Sequence, residues 1–129
     1  MSRLLRGALA LVLACAPQAR GDEAVAFSAR VLPVLERACF VCHSPDDDQG
    51  GLSLLPDTWE KLVNVPSRQV GMKLVEPGSP EKSYLFLKLL GTHEEAGGRG
   101  RIMPIEQDAL GPADMEAIRQ WILQGARND

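Results

Sequence analysis

Apolar residues recur at helical spacing in the first and last thirds of the chain, with two shorter helix signals between. From Ala24 to Cys39, Phe27, Val31, Leu35 and Ala38 fall at i, i+4, i+8 and i+11, leaving Ser28, Arg30, Glu36 and Arg37 for solvent; this predicts an amphipathic helix. Pro33 lacks a backbone donor and crowds the preceding turn, so it predicts a kink or a restart inside that helix. Asp57-Thr58-Trp59-Glu60 reads as a capping box for a short helix to about Asn64, with Trp59 and Leu62 or Val63 turned inward. Ser79 as cap, Pro80 at the first position and Gly91 as the stop frame a third helix carrying Tyr84, Leu85, Leu87 and Leu89. The last helix spans Pro112 to Gln124, opened by Gly111-Pro112 and closed by Gly125. Its stripe of Met115, Ile118, Trp121 and Ile122 predicts packing against the first helix. Segments 44–55, 66–77 and 92–101 read as connections, no internal repeat is present, and the fold class is all-α with about four helices.

Composition changes the picture at the N-terminus. Arg3 and Arg6 precede an apolar run from Gly7 to Ala16, too short to span a bilayer and matching a bacterial secretory signal. Cleavage after Ala19-Arg20-Gly21 makes residues 1–21 a leader and residues 22–129 one domain of ordinary size. Val12-Leu13-Ala14-Cys15 also resembles a lipobox, in which Cys15 becomes a lipid-anchored N-terminus. The whole chain has 14 Lys and Arg against 17 Asp and Glu, net −3; without Arg3, Arg6 and Arg20 the balance is 11 against 17, net −6. An acidic domain argues against nucleic acid as a partner and favours one with a basic face.

The chemistry-bearing stretch is Cys39-Phe40-Val41-Cys42-His43. C-x-x-C-H is the attachment signature of a c-type haem. Residues three apart lie on one face of a helical turn, so two thiols can add to the two vinyl groups of one porphyrin edge while the next residue supplies an imidazole to the iron. Export agrees with this, because bacteria attach haem c outside the cytoplasmic membrane, where a bare C-x-x-C pair would oxidise. Rival readings are a redox dithiol, which normally opens a helix beside a βαβ unit, a structural disulfide, and half of a zinc site, for which the sequence has no second Cys/His pair.

Met103-Pro104 offers the other axial ligand. A thioether on a loop stiffened by proline suits a low-spin haem, and a Met/His pair raises the reduction potential. Met72, Met115 and His93 compete for that role; Met115 lies on a core-like helix face, and His93, beside Glu94-Glu95, reads as a surface histidine. Tyr84, Arg99 and Arg101 are candidates to hold haem propionates. Asp46-Asp47-Asp48 lacks the ligand spacing of a calcium loop and reads as solvated, with partner docking as an option.

The order of these features resembles a class I c-type cytochrome, and within it the planctomycete-type cytochrome c domain. The matching stretches are Val31-x-Pro33-x-Leu35-x-x-x-Cys39-x-x-Cys42-His43, Gly50-Gly51-Leu52-x-Leu54, Pro77-Gly78-x-Pro80-x-x-Ser83-x-Leu85, Met103-Pro104, and Trp121-Ile122-x-x-Gly125-Ala126. The resemblance implies a helical fold around one covalently attached haem, tethered at Cys39 and Cys42, with His43 proximal and Met103 distal. Ile105 departs from it, since a second proline is common there, and the 92–101 loop is long. The expected function is an exported, periplasmic one-electron carrier rather than an enzyme. Its alternatives are a peroxidase-like enzyme or gas sensor with an open distal site, or an electron-transfer subunit of a larger membrane-associated complex.

Overall fold

The computed structural model describes residues 23–105 and 110–129. The expected leader, residues 1–21, and Cys15 lie outside them. The described residues are mainly helical, with α1 at Leu32–Cys39, α2 at Thr58–Leu62, α3 at Tyr84–Leu90 and α4 at Pro112–Leu123. A two-stranded antiparallel ladder, β1 at His43–Ser44 and β2 at Asp47–Asp48, pairs His43 with Asp48 and Ser44 with Asp47. Segment 44–55, expected as plain loop, therefore carries this hairpin and a 3₁₀ turn at Gln49–Gly51. Pro45-Asp46 supplies turn residues between the strands, and Gly50 and Gly51 sit at φ 68° and 71°, where a side chain would be strained.

Pro33 restarts the first helix. A π-helical turn at Phe27–Val31 runs into α1, and Leu32 N–H reaches Phe27 O five residues back. Pro33 has no N–H to continue that ladder, so the chain changes register where the donor is missing. The start of this turn is capped from the far end of the chain: Phe27 N–H donates to Asp129 Oδ1 at 3.0 Å and Ser28 N–H to the Asp129 main-chain oxygen at 2.8 Å.

Two expected caps take other forms. Asp57 is left-handed at φ 61° and makes no side-chain bond to α2, because a capping side chain works from extended backbone. The span from Ser79 to Gly91 is divided at Ser83 into a 3₁₀ turn, Pro80–Lys82, and α3. Buried Ser83 donates its hydroxyl to Ser79 O at 2.8 Å and accepts Glu76 N–H at 2.9 Å, an alternative to the helical ladder. Tyr84 and Leu85 N–H then donate to Lys73 and Leu74 carbonyls, so α3 is capped by the 66–77 segment rather than by Ser79.

The core joins Phe27, Val31, Val34 and Leu35 to Leu54, Leu62, Val75, Phe86, Leu89 and the α4 residues Ile118, Trp121 and Ile122. The first and last helices meet as expected, with the Phe27 and Trp121 rings 5.2 Å apart. Asp114 of α4 accepts from Arg30 at 3.1 Å and Arg37 at 2.6 Å. No helix among the described residues is long and apolar enough to cross a membrane.

Candidate functional site

Helix α1 ends at Cys39, and the chain turns at once, with Cys42 N–H donating to Cys39 O at 3.2 Å. The turn separates the two thiols by environment: Cys39 is largely covered against the core, whereas Cys42 is exposed, and neither is in a disulfide. Burial, with a smaller contribution from Cys42, pushes the Cys39 thiol up to about 11. Placement at a helix C-terminus, where the macrodipole is negative, disfavours a thiolate further. A nucleophilic dithiol needs the opposite, a thiolate stabilised at neutral pH, so the setting of Cys39 speaks against the oxidoreductase reading.

His43 follows on β1, and its ring is oriented by one bond. Nδ1 lies 3.1 Å from Leu52 O. A carbonyl oxygen only accepts, so Nδ1 carries the proton and donates, and Nε2 is left with its lone pair. Metal-ligating histidines are fixed in this way by their second nitrogen. The loop that presents Leu52 is itself held, since Gln49 N–H donates to Cys42 O at 3.2 Å and Leu54 N–H to His43 O at 2.9 Å.

Met103 lies half-buried against the same core that Cys39 borders, its N–H donating to Lys88 O of α3 at 3.2 Å. Its rivals are placed differently. Met115 packs half-buried on the core, as expected, and Met72 is half-buried in the 66–77 segment. His93 corrects the expectation of a surface residue: it is 3% exposed, and Nε2 contacts Gly100 O at 2.9 Å. Turning the ring inward lets it close the polar 92–101 loop on itself, a contact across the loop that the neighbouring Glu94 and Glu95 hide from a local reading. Gly98 completes that closure, since a Cβ there would collide with the Tyr84 hydroxyl and sit 2.8 Å from His93 O.

Tyr84 is buried, and its hydroxyl donates to Gln69 Oε1 at 2.6 Å. Arg99 and Arg101 are exposed, and neither makes an ion pair among the described residues. Asp46, Asp47 and Asp48 are all exposed. Sequence reading missed Leu52 O and Gln69 as partners; the Gly50-Gly51-Leu52-x-Leu54 stretch was the signal for the first, and nothing local marks the second.

Two thiols three residues apart and outside any disulfide, an imidazole with Nε2 free and a thioether at the core edge form a donor set that fits a covalently held haem. Leu52, Leu74, Leu85 and Met115 pack on the core while only partly buried, which suits contact with a large apolar ring. Among the described residues no three His, Cys, Asp or Glu side chains gather as ligands for a metal ion.

No curated protein and no solved structure matches the chain. Comparison with protein families matches residues 39–104, just over half of the chain, to Planctomycete cytochrome C, a span running from Cys39 at the first thiol to Pro104 directly after Met103. The chain belongs to the planctomycete cytochrome c family.

Proposed function

We propose that this protein is an exported monohaem c-type cytochrome that shuttles single electrons. Cys39 and Cys42 tether the haem, His43 Nε2 and Met103 Sδ ligate the iron, and a redox partner with a basic face delivers or accepts the electron. The observation that carries the reading is the His43 Nδ1 bond to Leu52 O, which commits the ring to presenting Nε2. Members of the family are in general electron carriers without catalytic chemistry, in accord with a carrier rather than an enzyme.

When bound, the haem supplies the one-electron couple. The chain's own residues do the rest. Two covalent tethers keep the cofactor from leaving in either oxidation state. Leu52 O holds the imidazole in one tautomer and one orientation, which limits reorganisation when the charge changes. The thioether favours the reduced form and so raises the potential. Transfer is outer-sphere, so no substrate is bound or altered.

The test is the visible spectrum of the protein exported by a host with cytochrome c maturation, oxidised and then reduced. Sharp low-spin c-type bands, with the weak far-red band of methionine-bound ferric iron, are expected. A high-spin spectrum that shifts with carbon monoxide or peroxide overturns the carrier reading in favour of an open distal site.

A further inference from the structure

A pocket of about 390 Å³ opens between α1 and α2, on residues that the haem reading does not use. Leu32, Glu36 and Phe40, at i, i+4 and i+8, form one face of α1 and its exit. Asp57, Trp59 and Glu60 face them from the start of α2. The indole N–H of Trp59 already donates to Ala126 O at 2.7 Å, so what Trp59 offers a ligand is ring surface.

The lining therefore combines aromatic surface with three exposed carboxylates, Glu36, Asp57 and Glu60, and includes no Lys, Arg or His. The basic residues of α1 and the turn before it are turned elsewhere, since Arg37 and Arg30 both hold Asp114 of α4. Three cations adjoin the lining in sequence: Arg37 beside Glu36 is held by Asp114, Arg127 beside Asn128 pairs with Asp129 at 3.3 Å, and Lys61 beside Glu60 is exposed. A neutral apolar ligand would leave the carboxylates unused, and an anion would be repelled by them. An alkylammonium or guanidinium group satisfies both features, its charge meeting the carboxylates and its stem and charge meeting the rings.

We propose that this pocket receives a lysine or arginine side chain of the basic redox partner. The proposal rests on the electron-carrier reading for the partner's identity, but the pocket's preference for a cation does not. Charge complementarity selects the occupant, and position gives it a purpose. Phe40 lies directly after Cys39, so a side chain seated against it brings the partner within one residue of a haem tether. The domain's net acidity steers encounter from every side; the pocket supplies the single orientation.

The experiment titrates the ¹⁵N-labelled, haem-loaded protein with butylammonium and, separately, with butanol, following the Trp59 indole N–H by NMR. Saturable shifts with butylammonium and none with butanol are expected. The E36Q/E60Q double variant should bind butylammonium at least fivefold more weakly, and E81Q/E95Q, which removes the same charge at exposed positions outside the pocket, should bind it like the parent. Reduction by hexaammineruthenium(II), a cationic donor that gives up one electron as the iron takes one, should slow several-fold more in E36Q/E60Q than in E81Q/E95Q. Equal effects of the two double variants, or equal binding of butanol and butylammonium, would overturn the proposal. A high-spin spectrum with an intact butylammonium titration would instead remove the electron-carrier reading and leave the cation site standing.

Discussion

In the proposed carrier His43 and Met103 have separable duties, and substitution should part them. If His43 holds the iron as proposed, His43→Ala should abolish stable haem incorporation. Met103→Ala should leave the haem on Cys39 and Cys42, remove the far-red ferric band and lower the midpoint potential; an unchanged band and potential in a potentiometric titration would end its assignment as ligand. Cys39 adds a pH signature in the reduced, haem-free chain. Its thiol is pushed from 9.0 to about 11 by burial, so above pH 9 the unfolded chain loses this proton while the folded chain keeps it. Stability is thus complete below pH 9 and falls as pH rises toward 11, by at most about 3 kcal/mol at 1.36 kcal/mol per unit. Urea unfolding at pH 8, 9.5 and 11 reads this directly, and Cys39→Ser should flatten the profile. Once Cys39 is a thioether it has no proton to lose, and the holoprotein should lack this slope.

At the level of elements, the connections hold the helices as much as the helices hold each other. The 92–101 loop is fixed to α3 by two contacts, Lys88 Nζ donating to Arg99 O at 2.6 Å and Gly98 sitting under Tyr84, and is closed on itself where His93 meets Gly100 O. Gly98→Ala should therefore cost about 1–3 kcal/mol, since a methyl there meets the fixed carbonyl of His93 as well as the Tyr84 ring. Because the loop leads into Met103, the same variant should weaken the far-red band before it unfolds the protein, which paired thermal melts at that band and in the far ultraviolet will show. The Asp114 clamp is a different case. Arg30 and Arg37 are half-exposed, so solvent screens the pairs, and Asp114→Asn should cost only about 1 kcal/mol.

For the whole molecule, closure of the chain on itself is the main structural fact. Residues 124–129 return to the beginning: Gln124 accepts Val25 N–H at 2.8 Å, Ala126 O accepts the Trp59 indole, Arg127 O accepts the Trp121 indole at 3.0 Å, and Asp129 caps the first turn. Trp121 sits at the centre of that closure, 1% exposed and stacked obliquely on Phe27. Trp121→Ala should cost about 3–5 kcal/mol in urea unfolding, a large part of the stability of a domain this small. Its effect on the potential should be small if the haem remains ligated, because Trp121 supports the frame through its bond to Arg127 O and its contact with Phe27.

Local patterns in the sequence determined the four helices, the apolar faces by which the Phe27–Val31 turn meets α4 and the place of the thiols and imidazole, because helical periodicity and the C-x-x-C-H spacing involve residues close together in the chain. The Pro33 restart was legible for the same reason, since a missing donor acts on its own turn. Tertiary structure alone decided the features that depend on distant partners. Ser83 divides the third helix because the 66–77 segment supplies its caps, and Asp57 abandons its capping role because its backbone is left-handed. His93 is buried because Gly100 and Gly98 close over it, although its sequence neighbours are charged. Leu52 O reaches His43 only after the hairpin folds back, and so chooses the nitrogen that stays free. Sequence proximity determines which groups are present; the choice of tautomer, burial and cap belongs to contacts made across the chain, where the competing local preference is worth only about a kcal/mol and is overridden.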